Sequence, residues 1–159
     1  MALFPPGAGG GQNVNYGRKG KGVTTHLLAD GNGMPLDLIF TSATGCERAA
    51  GKEMLSRTWK KRRKIGFLQA DKGYDSMDFR WSVLTLNYYP LINYRRMGNR
   101  QSLPLFALKL STRWSVERAF AWFRLKFRRL VVRWERREVY WSGFYTMGAI
   151  MMWVNLLLR

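Results

Sequence analysis

The chain has only ten carboxylates against 27 lysines and arginines, so each acidic residue can be weighed for chemistry on its own. Asp71 follows the short apolar run GFLQA and precedes the glycine-containing segment Lys72-Gly73-Tyr74-Asp75-Ser76. A carboxylate where a strand gives way to a tight connection can hold a metal ion above the edge of a sheet. Taken alone, a turn or helix-capping aspartate is the more ordinary reading of that position. Glu117 lies among Arg113, Arg124 and Arg128 at spacings of four and seven, which share one face of a helix. Such a stripe is either a solvated row of ion pairs worth little or a metal-binding carboxylate flanked by guanidiniums that grip phosphate. From spacing alone the two weigh equally. Asp30 sits in the turn Asp30-Gly31-Asn32-Gly33, which uses aspartate for its own geometry, and Asp37 alternates with apolar neighbours as an outward strand position would. Glu53, Asp78, Glu135 and Glu138 read as helix-surface charges. His26 and Cys46 are the only residues of their types and make no nucleophilic set, disulfide or Cys-based zinc site. Any metal must then be held by carboxylate oxygens, which suits Mg²⁺ or Mn²⁺.

The elements that must position these residues follow from patterning. Residues 1–22 are rich in glycine and proline, end in GRKGKG, and read as loop. Residues 23–29 and 35–43 are apolar and flank a strong turn signal, which predicts a hairpin. A helix is expected over 46–59, followed by the basic run Lys60, Lys61, Arg62, Arg63, Lys64. A strand over 66–70 ends at Asp71, with Asp75 or Ser76 placed to cap the next helix. Residues 88–93 read as a further strand and 94–110 as basic and irregular. From about Ser111, the residues Val116, Phe120, Phe123, Phe127, Leu130 and Trp134 recur at four and three, one apolar helix face. A last helix holds most of 138–158. Paired strands followed by alternation with helices predict a mixed α/β sheet covered by helices. Active sites in such sheets lie at the carboxyl ends of strands, and Asp71 stands at one.

The formal charge of +17 makes nucleic acid the first candidate partner and an anionic membrane the second. Nearly half the residues are apolar, enough for a buried core in one domain of 159 residues. The N-terminus lacks the features of a signal peptide. Residues 140–158 carry no charge and are long enough to span a bilayer, yet at the end of so basic a chain a packed core helix is the expectation, with a small membrane-anchored protein as the competing reading.

Three segments carry a family resemblance. GRKGKGVTTHLLADGNGMPLDLIFTSA resembles the hairpin region of DDE insertion-sequence transposases, whose catalytic core is ribonuclease-H-like. LQADKGYDS resembles the strand bearing their second catalytic aspartate, at Asp71. RWSVERAFAWFRLKFRRLVVRWER resembles their signature helix, with the catalytic glutamate at Glu117, an arginine four residues earlier at Arg113 and a basic residue seven later at Arg124. The family's usual lysine is Arg124 here, and its tyrosine three residues before the arginine is Leu110. The resemblance runs from about Phe4 to the end.

It implies an α/β, ribonuclease-H-like mixed sheet flanked by helices and truncated at its N-terminus. The expected layout is one partial catalytic domain over 1–159, with a Gly-rich loop over 1–22, the sheet core over 23–93 and the C-terminal helices over 111–158. It implies metal-dependent cleavage and transfer of DNA strands at insertion-sequence ends, with Asp71 and Glu117 as catalytic metal ligands for Mg²⁺ or Mn²⁺. Arg113, Arg124, Lys126, Arg128, Lys60, Lys61 and Arg62 would bind DNA. The partners would be double-stranded DNA at transposon ends and target, with a homodimer or an upstream transposase partner, no membrane, and a cytoplasmic, nucleoid-associated location. The family's first aspartate belongs upstream of the Gly-rich segment, and no Asp precedes Asp30. The chain is therefore expected to be weakly active or inactive by itself, and a catalytically silent DNA-binding relic or regulator is the alternative.

Overall fold

The structure, a computed structural model, describes residues 2–3, 13–17, 20–59, 66–94, 113–130 and 137–158. It divides into two compact units, one formed by Met1–Cys46 with Ser115–Arg159 and the other by Glu47–Trp114. Together they are mixed α/β.

In the first unit the strands are β1 (Ala2–Leu3), β2 (Asn15–Gly17), β3 (Gly20–Ala29) and β4 (Pro35–Ser42). β3 pairs antiparallel with all three others, and the β3–β4 hairpin keeps register from Val23 opposite Ser42 to Leu28 opposite Asp37. The expected turn forms: Asp30 accepts from the amides of Asn32 (2.9 Å) and Met34 (2.8 Å), and Gly33 takes a positive φ of 80°. Residues 1–22 differ from the expected loop. Ala2–Leu3, Asn15–Gly17 and the first residues of β3 are strand. Glycine-rich sequence has no alternation to read, and these residues are extended because β3 offers them a ladder of hydrogen bonds. β3 itself is buried from Gly22 to Leu27 on both faces, which explains its continuous run of β-branched and apolar residues.

Two helices complete this unit, α3 (Arg113–Lys126), which belongs to it from Ser115 onward, and α4 (Glu138–Leu157). Their inner faces bury Phe120 and Phe123 from α3 and Trp141, Tyr145 and Met152 from α4, against Val23, Leu27 and Met34 of the hairpin. The Trp141 and Tyr145 rings meet edge to face at 4.7 Å, and Phe123 stands 5.1 Å from Tyr145. Trp153 donates its indole N–H to the Pro35 carbonyl at 2.7 Å, tying α4 to β4. α3 stops at Lys126, and a 3₁₀ turn over Arg128–Leu130 follows. The apolar period suggested a longer helix. Leu130 is buried here, and the Leu130 N–H to Phe127 carbonyl bond tightens the chain to put it there. Trp134, the last residue of the predicted apolar face, lies outside the described residues.

The second unit contains α1 (Glu47–Trp59), β5 (Gly66–Ala70), α2 (Met77–Thr85) and β6 (Tyr88–Ile92). β5 and β6 run parallel, joined through α2, with Gly66 opposite Tyr88 and Ala70 opposite Ile92. Leu55, Tyr74, Phe79, Val83 and Ile92 form its core. Gly51 brings α1 close, since a Cβ there would stand 2.8 Å from the rings of Tyr74 and Phe79. Ser76 caps α2 by accepting from the Phe79 amide. The predicted irregular segment lies outside the described residues from 95 onward.

Candidate active site and basic surface

Asp71 lies one residue beyond the carboxyl end of β5 and is exposed. Its Oδ1 accepts from the Lys72 amide at 2.8 Å, and its carbonyl accepts from the Tyr74 amide at 2.9 Å. Asp71 therefore starts the 3₁₀ turn Lys72–Tyr74, as a turn aspartate does, while its carboxylate faces solvent at a strand end. The capping role and a metal-binding role are compatible, because a carboxylate has about four lone-pair sites and the turn uses one.

A second carboxylate stands at the same edge. Glu47, in the first turn of α1, lies against Gly73, where a Cβ would collide with its carboxylate. Glycine at 73 is what admits it. Burial pushes the Tyr74 phenol far up, and the charges of Glu47 and then Asp71 push it further. Tyr74 is thus a neutral core residue below a negative edge. Glu47 went unnoticed in the sequence because nothing in its spacing from Asp71 or Gly73 signals proximity. Only the packing of α1 on the turn creates it.

The loop that carries Asp71 is anchored at its far end. Arg80 donates through Nε and Nη2 to Asp75 Oδ1 at 3.1 and 2.9 Å, donates through Nη2 to the Ile92 carbonyl at 2.6 Å, and lies 4.3 Å from the Tyr94 ring centroid. Both charged side chains are almost fully buried. This pair links the turn after β5 to the end of β6. Asp75 is therefore an ion-pair partner, and Ser76 alone caps α2.

Glu117 is exposed on α3 in the other unit. The helix that carries it is docked on the hairpin turn. A Cβ at Gly33 would stand 2.7 Å from the Ser115 carbonyl oxygen, Arg118 donates to the Asn32 carbonyl, and its guanidinium lies 4.8 Å from the Trp122 ring centroid. The basic residues expected to bind DNA divide as follows. Arg124 and Lys126 are exposed on the last turn of α3, and Arg128 is exposed in the 3₁₀ turn beyond it. Arg128 thus leaves the helical stripe that spacing had suggested, because α3 ends first. Arg113 begins α3. Lys60, Lys61 and Arg62 lie outside the described residues.

The donor chemistry fits a hard divalent cation. His26 is fully buried, its Nε2 is 2.9 Å from Thr41 Oγ1, and burial lowers its pKa to about 4. It is sequestered as a neutral core residue, and among the described residues the exposed hard donors are carboxylate oxygens, the exposed Cys46 offering only a soft sulfur. Among the described residues, no three His, Cys, Asp or Glu side chains form a metal-binding cluster. No described helix is long and apolar enough to cross a membrane.

Comparison with known proteins defines the class. The family model of the transposase DDE domain matches residues 4–153, nearly the whole chain. The chain belongs to the DDE transposase family of insertion sequences. A curated relative, the transposase assigned to insertion sequence element IS402 of Burkholderia cepacia, is 30% identical over 145 residues. The match covers 87% of this chain and 65% of that protein, so the chain spans just under two thirds of its relative's length. No solved structure matches the chain.

Proposed function

We propose that this chain is the catalytic part of an insertion-sequence transposase, built on a ribonuclease-H-like sheet as one partial domain over 1–159, that cleaves and joins DNA strands with Mg²⁺ or Mn²⁺. The observation that carries this reading is the exposed carboxylate of Asp71 at the carboxyl end of a parallel strand, in a chain whose family match runs through both Asp71 and Glu117. Asp71 and Glu117 would hold the cation, which supplies charge neutralisation at the phosphate and a more acidic water. The capped turn after β5 restricts the Asp71 carboxylate. The docking of α3 on the hairpin restricts Glu117. Arg124, Lys126 and Arg128, with Arg113 and the basic run at 60–62, would grip DNA phosphates. The guanidiniums suit this role because they stay charged and bind phosphate oxygens in a fixed fork.

The test is Mn²⁺ binding by calorimetry, together with Mn²⁺-dependent nicking of a duplex that carries insertion-sequence ends. Asp71→Asn and Glu117→Gln should each weaken Mn²⁺ binding by about tenfold or more, the scale set by losing one charged oxygen ligand. Nicking should fall together with Mn²⁺ affinity in both variants. Unchanged Mn²⁺ affinity in both variants would exclude the metal assignment and favour a silent DNA-binding protein.

A further inference from the structure

The β2–β3 pair carries side chains that neither the core nor the candidate active site uses. Tyr16 of β2 stands directly opposite Lys21 of β3, with Asn15 opposite Gly22 and Gly17 opposite Gly20. Residues opposite one another in an antiparallel pair project from the same face. Tyr16 is 71% exposed, and Lys21 is exposed beside it, its Nζ 6.0 Å from the ring centroid. At that distance the ammonium is attracted to the ring, which keeps the two together. The sequence from Tyr16 to Lys21 also contains Arg18 and Lys19, which lie outside the described residues, and no Asp or Glu occurs before Asp30. The foot of β2 is fixed. Val14 packs against the core. Asn13 donates its backbone N–H to Glu138 Oε2 at 3.0 Å and its side-chain Nδ2 to Glu138 Oε1 at 2.7 Å, which ties it to the first turn of α4.

We propose that the β2–β3 ribbon is a further DNA-binding site, one that enters the major groove of a duplex through Tyr16 and Lys21. It uses residues other than the basic end of α3, and it rests on the DNA-binding half of the proposed function without its metal chemistry. Charge selects the partner, because an acid-free basic stretch attracts a polyanion. Shape selects the groove. A major groove about 12 Å wide admits a two-stranded β-ribbon, whereas a minor groove of about 6 Å does not. Paired strands lie only about 4.7–4.9 Å apart, and glycine at 17, 20 and 22 adds no side-chain width. In the groove the Lys21 ammonium can donate to guanine O6 and N7 or to a phosphate, and the Tyr16 ring can pack on a thymine methyl. The anchor at Asn13 and Val14 holds the ribbon in one place before DNA arrives, which lowers the ordering cost of binding. A lipid surface fits less well, since it rewards a broad apolar face and the ribbon offers one ring among cations and glycines.

The experiment is anisotropy titration of a mixed-sequence duplex without divalent metal, paired with dimethyl sulfate footprinting, which reads guanine N7 in the major groove. Tyr16→Ala should weaken binding about tenfold, the scale of one base-edge contact, and leave the salt slope unchanged. Lys21→Ala should reduce the salt slope by about 1. Glu138→Ala raises the net charge by one, so charge alone predicts tighter binding. Loss of the anchor predicts weaker binding, and weaker binding is the expected result. The wild-type chain should protect guanine N7, and Tyr16→Ala should lose part of that protection with an unchanged circular dichroism spectrum. Wild-type affinity in both Tyr16→Ala and Lys21→Ala overturns the proposal, as does tighter binding by Glu138→Ala. Displacement of the chain by netropsin, a minor-groove ligand, overturns the groove assignment and the proposal with it. Absence of N7 protection by the wild-type chain also overturns it, and that reading needs no variant to fold. A chain that binds no duplex at all removes the DNA-binding half of the proposed function too. A chain that binds, with ribbon variants at wild-type affinity, removes this inference alone.

Discussion

His26 shows how burial alone can reassign a residue. Its type suggests acid–base chemistry, yet its position on β3 places it in the core, where the charged form is costly and the pKa falls to about 4. The unfolded chain then binds more protons than the folded one between about pH 6.5 and pH 4. Stability from this group is fully present above pH 6.5 and is lost as pH falls through that window, by up to about 3 kcal/mol for a shift of this size. Denaturation measured from pH 7 to pH 4 should show this loss, and His26→Gln should flatten it. Arg80 is the opposite case, a charge kept buried by partners. Arg80→Ala would remove both guanidinium bonds to the buried Asp75 carboxylate and the bond to the Ile92 carbonyl. It should cost about 3–5 kcal/mol in chemical denaturation, as breaking a buried pair from one side does. Arg80→Lys should recover only part of that, because an ammonium cannot reproduce the two bonds to Asp75 together with the stack on Tyr94.

At the scale of elements, the hairpin turn matters because α3 rests on it. Gly33 combines a positive φ with close contact to the Ser115 carbonyl, so a side chain there meets both backbone strain and a collision with backbone. Gly33→Ala should lower stability by about 2 kcal/mol or more, since an αL penalty of 1–2 kcal/mol adds to the displacement of α3. Because α3 carries Glu117, the same substitution should weaken Mn²⁺ binding without removing any carboxylate. Thermal melting and calorimetry read the two effects separately. A variant as stable as wild type would show that the turn and helix are not coupled. α2 depends on a simpler device. Ser76→Ala removes its cap and should cost about 1 kcal/mol.

Across the whole molecule, charge dominates. A chain with +17 should bind duplex DNA of any sequence, with the logarithm of affinity falling as the logarithm of salt rises. Phosphate contacts by Arg124, Lys126 and Arg128 alone would give a slope of about −3, and further contacts would steepen it. Substituting the three with alanine should reduce the slope by a similar amount, measured by anisotropy titrations at several salt concentrations. An affinity indifferent to salt would remove phosphate binding as the basis of DNA recognition.

Much of this protein was legible from local pattern. The hairpin, β5, α2, β6 and α4 fall close to where alternation, helical period and turn chemistry put them, because those signals are written in neighbouring residues. Asp71 at a strand end and Glu117 in a basic helix were visible for the same reason, and so was the family. Other features depend on residues far apart in sequence that packing brings side by side. Ala2–Leu3 and Asn15–Gly17 are strands only because β3 lends them its edge. Glu47 approaches the Asp71 turn only because α1 packs over Gly73. α3 ends early because Leu130 is drawn into the core. The uncharged run at the C-terminus reads as one apolar helix, and only the burial of Trp141, Tyr145 and Met152 separates a core face from an exposed one. Local sequence sets which conformations are cheap, and the tertiary contacts determine which side chains lose their water.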